Sequence, residues 1–296
     1  MPRNVYQSVL DERFQTPASR RGLFKKVSSA FSGRCVVTFF TSFQYPVQID
    51  DNDCDMLLSV LQQTPDLSKG LVLMISSPGG DTLAAERMVN ICRAYSGTGD
   101  YWALVPGRAK SAATIICMGA SKIIMAAPSE LGPVDPQIIR EENGETKWFS
   151  AFSLVNGYKT LFNEAVSSSG NVEPYVQQLA HYDIRDINTW QGFIDVSRDI
   201  AIKILASGMM SGCSKPDIEQ KIKVFLDPSA GTQIHGRAIY ATEAKACDLN
   251  VEELSVKSPL WDPIYELYYR TDMYVSTRAA KVVESQSEAF YTPAPD

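Results

Sequence analysis

Runs of apolar residues alternate along the chain with stretches in which apolar residues recur every three or four positions. Such runs are typical of buried strands, and such stretches are typical of amphipathic helices. In the first half of the chain the predicted strands are 34–43, 71–76, 101–105 and 122–126, and the predicted helices are 53–63, 82–92 and 111–118. Strands that alternate with helices in this way predict a parallel sheet with right-handed crossovers.

After residue 126 the pattern becomes mainly helical. Helices are predicted over 148–167, 188–207 and 217–226, with a charged loop over 141–146 and a helical turn over 242–246 before a short strand. The first 34 residues are polar, with a short helix over 5–14, and the last 40 are rich in tyrosine with a polar end that we expect to be disordered. We therefore divide the chain into an N-terminal arm (1–34), one α/β domain (35–256) and a C-terminal tail (257–296).

Composition argues against several classes of function. The 296 residues carry a net charge of −6, which argues against a nucleic-acid partner. Only two histidines occur, so neither a His-rich metal site nor a cofactor is indicated. The six cysteines include no CxxC pair, and no signal peptide or membrane-spanning segment is recognisable, so we expect a cytoplasmic protein, at most peripherally attached to a membrane.

Two strand-turn-helix junctions carry the candidate chemistry. The first ends a strand in Gly79-Gly80, where a helix N-terminus leaves unpaired N–H groups that can hold an anion or an oxyanion. The second places Ser111 at a predicted helix start among small residues, with the N–H of Ala112 as a further donor. Taken alone, the first junction is explained equally well by a plain tight turn, and an ordinary N-cap serine is the favoured explanation of the second. Together they predict acyl transfer at a serine.

Four segments give this prediction a more specific form: ISSPGG (75–80), AKSAATIICMGA (109–120), APSELGPVDPQ (127–137) and TQIHGRAIYATEAKACDLNV (232–251). In this order they resemble the Clp protease and crotonase superfamily, and within it most closely the serine dehydrogenase proteinase family. The resemblance covers about residues 35–255. It implies a fold of repeated β-β-α units and a serine endopeptidase that acts on peptides or proteins. Ser111 matches the nucleophile, and Gly80 and Ala112 match the oxyanion-hole donors.

The resemblance also bears on the remaining catalytic groups. Where Clp proteases have their histidine, this chain has Asp135, and where they have their aspartate, it has His235. The serine dehydrogenase proteinases have this order of serine, aspartate and histidine, which implies His235 as base and Asp135 as its orienting partner. Chain order is free to vary, because geometry defines a triad.

Other interpretations stay open at this point. Signal peptide peptidase A, of the same superfamily, uses a Ser-Lys dyad, and Lys159 is the nearest candidate for that lysine. Lys110 is a weaker candidate, because adjacent side chains on a helix diverge. A non-catalytic or acyl-binding crotonase-like scaffold is the alternative to an enzyme. Superfamily members form rings or stacks, so we expect a homo-oligomer, with the tyrosines of the tail packing on a neighbour.

Overall fold

A computed structural model describes residues 4–12, 16–142, 145–227 and 236–295. The helices are α1 (Val5–Asp11), α2 (Pro17–Ala30), α3 (Asp51–Gln62), α4 (Thr82–Tyr95), α5 (Ala112–Met118), α6 (Ala151–Ser167), α7 (Glu173–Leu179), α8 (Ile184–Ala206), α9 (Lys215–Lys221), α10 (Lys223–Leu226), α11 (Ala241–Ala246) and α12 (Trp261–Thr277). The strands are β1 (Cys35–Thr41), β2 (Leu71–Ser76), β3 (Tyr101–Val105), β4 (Arg108–Ala109), β5 (Lys122–Ala126), β6 (Glu130–Leu131), β7 (Gln137–Glu142), β8 (Glu145–Ser150), β9 (Val251–Leu254), β10 (Ala279–Glu284) and β11 (Ala289–Pro293).

The central sheet has the strand order β11-β10-β1-β2-β3-β5-β9. Its strands from β1 to β9 run parallel, as the sequence predicted, and β10 and β11 add antiparallel strands beside β1. Successive side chains of a strand point to opposite faces, so Val37 and Phe39 enter one core while Val36 and Phe40 enter the other. Because both faces are covered, the central strands are apolar along their whole length.

A second, shorter layer of strand pairings lies beyond the ends of the main strands. It consists of the pairs Ile49 with Gly80, Ser77 with Ala109, β4 with β6, and Leu131 with Ile239. The chain therefore passes from a main strand to a short strand and then to a helix, most clearly in β3, β4 and α5. This arrangement confirms the predicted α/β class with repeated β-β-α units. It also brings the ends of the main strands, and the turns that follow them, to one edge of the sheet.

The second half of the chain differs from the sequence prediction at several points. The loop predicted over 141–146 is wrong, because β7 and β8 form an antiparallel hairpin in which Gln137 pairs with Ser150. Trp148 lies in β8, and α6 begins only at Ala151, where the Ser150 hydroxyl accepts a hydrogen bond from the N–H of Ser153. The helix predicted from 188 begins at Ile184, the one predicted over 217–226 is divided into α9 and α10, and α7 was not predicted.

The segments outside the predicted domain pack on the central sheet. Helices α2 and α12 lie together against the second core, where Phe24 and Val27 meet Ile264 and Leu267. The division at residues 34 and 257, which follows composition, stays a prediction. Residues 289–293 form β11, so strand structure reaches the first two residues of the polar end at 292–296. The predicted boundaries were set from composition, which carries no information about the packing of α2, α12, β10 and β11 on the sheet.

The tyrosines of α12 make ring contacts within the chain, and their packing on a neighbouring subunit stays a prediction. Their ring contacts are Tyr265 with Trp261, Tyr269 with Tyr6, Tyr268 with Phe40 and Tyr274 with Tyr291. No helix in the described ranges combines the length and apolarity that crossing a membrane would require.

A buried ion pair joins α2 to β10. The Arg20 Nε lies 2.7 Å from the Glu284 Oε2, and both side chains are inaccessible to solvent. Burial raises the pKa of the Glu284 carboxyl from its ordinary 4.5 to about 7, with Arg20 acting in the opposite direction. The folded protein therefore holds this proton more tightly than the unfolded chain does. The contribution to stability is complete below about pH 4.5 and is lost as the pH rises toward 7.

Glu284→Gln removes this titration. We expect the free energy of unfolding of the wild type, relative to that of the variant, to fall by on the order of 2 kcal/mol between pH 5 and pH 7.5. Urea unfolding at four pH values across this interval measures the difference. A difference between the two proteins that does not change with pH would contradict the prediction.

Candidate functional site

Ser111 lies in a strained turn between β4 and α5. Its backbone has φ 51° and ψ −119°, a conformation that residues with a side chain rarely adopt. Although it precedes the first residue of the helix, its hydroxyl makes no capping hydrogen bond. The interpretation as an ordinary N-cap serine is therefore wrong. A serine in a strained, sharp strand-to-helix turn is also found at the nucleophile of serine hydrolases, so Ser111 is a candidate for that role.

The buried side chain of Thr114 holds this turn in place. The Thr114 hydroxyl oxygen lies 2.9 Å from the carbonyl oxygen of Ala109 and 3.0 Å from that of Gly132, and it accepts a hydrogen bond from the N–H of Gly132 at 3.1 Å. On the other side, the Lys110 N–H donates to the Ser77 carbonyl at 3.0 Å. These bonds connect three successive short strands and fix the position of the residue between them.

The glycine turn after β2 lies directly against Ser111. Gly79 and Gly80 have φ values of 106° and 153°, which favour glycine. A Cβ on Gly79 would lie 2.7 Å from the Ser111 Cβ and 2.6 Å from the Lys110 carbonyl oxygen. A Cβ on Gly80 would lie 2.3 Å from the Ile49 nitrogen. Neither position has room for a side chain, so the two backbones approach as closely as glycine allows.

The hydrogen bond that the Gly79 carbonyl accepts fixes the direction of the Gly80 N–H. The Ile49 N–H donates to the Gly79 carbonyl oxygen at 2.8 Å. In a trans peptide the C=O and the next N–H point in opposite directions, so the Gly80 N–H points away from Ile49. The Ala112 N–H is at the start of α5, where helical N–H groups have no partner within the helix. Among the described backbone hydrogen bonds between elements, neither N–H is a donor.

A cavity of about 790 Å³ opens in front of this turn. Gly79, Gly80 and Ser111 line one wall, and Pro136 and Gln137 line another. The remaining wall is largely apolar and includes Phe43, Tyr45, Val47, Leu83, Trp148 and Phe193. Leu83 is 60% exposed and Phe193 is 48% exposed. Exposed apolar side chains grouped around a polar centre are typical of a ligand-binding cleft.

Asp135 lies beside the cavity, next to the lining residue Pro136. Its side chain is buried, with only 2% of the residue exposed. The Gln137 amide donates to one carboxylate oxygen at 3.3 Å, and the N–H of Phe152 donates to the other at 3.4 Å. Both contacts hold the carboxylate in a defined orientation, which is what a group that orients a catalytic base requires.

His235 lies outside the described residues, but the chain on both sides of it is fixed near Asp135. On the N-terminal side, the N–H of Val134 donates to the Phe225 carbonyl at 2.7 Å. On the C-terminal side, Leu131 and Ile239 exchange backbone hydrogen bonds of 2.9 and 3.0 Å. Residues 225 and 239 therefore both contact the segment that leads into Asp135.

The two lysine candidates are engaged elsewhere. The Lys159 ammonium is exposed on α6 and donates to the Gln191 amide oxygen at 2.9 Å, and Lys159 does not line the cavity that contains Ser111. The Lys110 ammonium lies 3.0 Å from Glu130 Oε1 and donates to the Leu131 carbonyl at 3.2 Å. Burial lowers the pKa of Lys110, while Glu130 raises it. Lys110 thus supports the strand at 130–131, consistent with the expectation that it points away from the serine.

Sequence reasoning missed most of the cavity wall. Phe43 and Tyr45 follow β1, Trp148 comes from β8, and Phe193 comes from α8. Their spacing along the chain gives no sign that they meet. Among the described residues, no group of three or more His, Cys, Asp or Glu side chains is arranged to hold a metal ion.

The geometry and the sequence agree with a known class of proteins. Residues 31–145 match the family model described as ClpP-like SDH-type serine proteinase. The match includes Gly80, Ser111, Ala112 and Asp135, and it confirms the resemblance predicted from the motifs. This part of the chain has the sequence pattern of a ClpP-like serine proteinase, and within that class the matching family is the SDH type. The Clp protease/crotonase-like fold class expected from the sequence is likewise confirmed.

Individual relatives add little to the family match. The chain is 36% identical over 86 residues to the uncharacterized protein MJ0137 of Methanocaldococcus jannaschii, and the match spans 29% of each protein. Two solved structures, each 18% identical with a TM-score of 0.29, are described as the 1510-N membrane-bound stomatin-specific protease. One, a serine-to-alanine mutant, covers 48% of this chain and 68% of its own. The other, a lysine-to-alanine mutant with a substrate peptide, covers 80% and 98%.

Proposed function

We propose that this protein is a serine endopeptidase that cleaves peptide bonds through an acyl-enzyme on Ser111. The observation that carries the proposal is the strained, uncapped Ser111 at the wall of a large cleft, in contact with the Gly79-Gly80 turn. A structural serine would use its hydroxyl to cap the helix. Here Ser111 has a strained backbone and its hydroxyl does not cap the helix. Backbone strain of this kind is typical of functional sites.

In the proposed reaction the Ser111 Oγ attacks the carbonyl carbon of the scissile bond, and His235 takes the hydroxyl proton. The carbonyl oxygen becomes an oxyanion, which accepts hydrogen bonds from the N–H groups of Gly80 and Ala112. When this intermediate collapses, the C–N bond breaks and His235 gives the proton to the leaving amine. Water then attacks the acyl ester with His235 again as base, which releases the acid and restores the serine.

The proposal assigns Asp135 to orient His235. Asp135 is buried beside the cavity, and residues 225 and 239 both contact the segment that precedes it. In the sequence His235 lies between these two residues. A buried carboxylate that accepts an imidazole N–H fixes the ring's tautomer and stabilises the imidazolium that forms during the reaction.

The alternative of a Ser-Lys dyad has less support. A lysine acting as base must be desolvated so that its amine is neutral near neutral pH. Lys159 is exposed and bonded to Gln191, so its surroundings do not provide this. For this reason we favour His235 over Lys159 as the base.

Replacing each candidate base by alanine separates the two mechanisms. We expect His235→Ala to lower kcat/KM for a peptide substrate by about 10³-fold or more, and Lys159→Ala to change it by less than about threefold. Both variants are to be compared with the wild type in a fluorogenic peptide assay after their folding has been checked by circular dichroism. The reverse ranking would establish the lysine dyad.

The cleft also suggests the kind of substrate. A cavity of about 790 Å³ can hold a segment of extended peptide, and its apolar wall is suited to large apolar side chains. We propose peptides or proteins with such residues next to the cleaved bond as substrates, without a cofactor.

A fluorophosphonate probe tests the function itself, because it reacts with activated serines in hydrolases. We expect the wild type to be labelled, Ser111→Ala to remain unlabelled and Ser207→Ala to be labelled like the wild type. Ser207 is a matched control, since its hydroxyl is occupied by Arg93 on another surface. A folded wild-type protein that takes up no label would refute the proposal and favour an acyl-binding or non-catalytic scaffold.

We further propose that the protein is a homo-oligomer in a reducing compartment such as the cytoplasm. Large apolar side chains are exposed along α6, α7 and α8, among them Phe162, Val166, Val176 and Ile184. A second copy would remove this surface from water. All six cysteines are free thiols, as is usual in a reducing compartment. Light scattering that gives a monomeric mass at micromolar concentration would refute the oligomer.

A further inference from the structure

A buried lysine on β10 lies at the start of a chain of contacts that ends at the Gly79-Gly80 turn. Lys281 is 5% exposed and faces Thr41 across the β1–β10 pairing. Its ammonium lies 2.7 Å from Asp50 Oδ2 and 2.9 Å from Asp53 Oδ2. Lys281 is thus shared between two carboxylates at the beginning of α3.

The two aspartates form the cap of that helix. The side chain of Asp50 accepts a hydrogen bond from the backbone N–H of Asp53, and the side chain of Asp53 accepts one from the N–H of Asp50 at 2.9 Å. This reciprocal arrangement is a capping box, but it places two carboxylates side by side. The two negatively charged carboxylates repel each other, and the ammonium group of Lys281 that they share compensates for this repulsion. The position of the Asp50 backbone therefore depends on Lys281.

Ile49, the residue before Asp50, is the backbone partner of the glycine turn. Its N–H donates to the Gly79 carbonyl at 2.8 Å, and its carbonyl accepts from the Asp81 N–H at 2.9 Å. These two bonds hold the Gly80 peptide from both sides. Because the Gly79 C=O and the Gly80 N–H belong to one planar peptide, the bond to Ile49 sets the direction of the N–H.

We propose that Lys281 is a positioning residue for the oxyanion hole. Through the Asp50–Asp53 cap and the backbone of Ile49, it holds the Gly80 N–H in the direction that a developing oxyanion needs. The inference rests on the proposed function, since it assigns a purpose to that same site. It also gives a role to a segment that composition placed outside the domain, because β10 completes the site from the far end of the chain.

A misdirected oxyanion donor weakens binding of the transition state more than binding of the substrate. Loss of Lys281 should therefore lower kcat and leave KM nearly unchanged. We expect Lys281→Met to lower kcat about 10- to 100-fold while KM changes by less than about threefold. Lys281→Arg retains a cation that both carboxylates can share, and we expect it to recover most of kcat. Peptide hydrolysis is to be measured at a temperature at which circular dichroism shows each variant to be fully folded.

Glu284→Gln is the matched control. This substitution disrupts a second buried ion pair on the same strand. The partner of Glu284 in that pair, Arg20, lies on α2 and not beside the glycine turn. If Lys281 acts only through general stability, the two variants should lose similar activity, and that result would overturn the proposal. The predicted result is a kcat within about threefold of the wild type for Glu284→Gln.

Amide hydrogen exchange tests the same proposal without any activity. The Asp81 N–H is bonded to Ile49, so we expect it to exchange at least about tenfold faster in Lys281→Met and at the wild-type rate in Glu284→Gln. An inactive, unlabelled wild type would refute the proposed function alone, and the exchange rates would still decide whether Lys281 holds the turn. Unchanged exchange at Asp81 in folded Lys281→Met would overturn the inference.

Discussion

Ser111→Ala is expected to abolish peptide hydrolysis, with kcat/KM reduced by about 10³-fold or more. The reason is specific to the nucleophile, because the substitution leaves the cleft walls and both proposed oxyanion donors in place. The hydroxyl makes no capping bond, so its removal should change the free energy of unfolding by less than about 1 kcal/mol. Steady-state hydrolysis of a fluorogenic peptide and urea unfolding measure the two quantities.

A conservative change beside the same turn shows whether the loss is local. Thr114→Ser keeps the buried hydroxyl that bonds to Ala109 and Gly132, so this conservative change next to the same turn should retain most activity. If Ser111→Ala kept more than about a tenth of the wild-type kcat/KM, Ser111 would not be the nucleophile.

Gly79→Ala is expected to have the largest effect on folding and activity together. The added Cβ would lie 2.7 Å from the Ser111 Cβ and 2.6 Å from the Lys110 carbonyl, at a φ of 106° that alanine rarely adopts. Backbone strain alone costs about 1–3 kcal/mol, and displacement of the serine turn adds to this. We expect a loss of at least about 3 kcal/mol in unfolding free energy and no measurable hydrolysis.

Gly99→Ala controls for the conformational part of that loss. Gly99 also has a positive φ, 71°, but no heavy atom lies within 4 Å of an added Cβ. Its alanine variant should lose only about 1 kcal/mol and keep full activity. Thermal and urea unfolding of both variants give the comparison. Equal losses in the two would mean that the contact between Gly79 and Ser111 does not constrain the site.

The main strands and the helices between them over residues 35–126 were predictable because each has a strong local signal, whereas α2 (Pro17–Ala30) lies in the segment interpreted as a polar arm and was not predicted. The strand over 71–76 is an uninterrupted apolar run, and the turn after it contains adjacent glycines. Ser111 was recognisable only with its neighbours, since a lone serine before a helix has an ordinary explanation as a cap. Its positive φ, which favours the proposed role as nucleophile over that of a cap, is a property of the folded backbone and leaves no mark in composition.

The rest of the site was not predictable, because it is assembled from elements far apart in the chain. Trp148 was assigned to a helix but lies on a hairpin, and only there does it face the same cleft as Phe43 and Phe193. Lys281 is one lysine in a short strand, and its importance depends on a pairing with β1, more than two hundred residues earlier. Periodicity reports the burial of single elements and carries no information about such distant contacts.

The central claim is that Ser111 forms an acyl-enzyme, and trapping that intermediate tests it most directly. The wild type and Ser111→Ala are to be mixed with a p-nitrophenyl ester of a large apolar acyl group, whose good leaving group makes acylation fast, quenched in acid and measured by intact mass, with tandem mass spectrometry locating the adduct. We predict one acyl group per chain on Ser111, and none in Ser111→Ala. A folded wild-type protein with no adduct, or with the acyl group on another residue, would contradict the account.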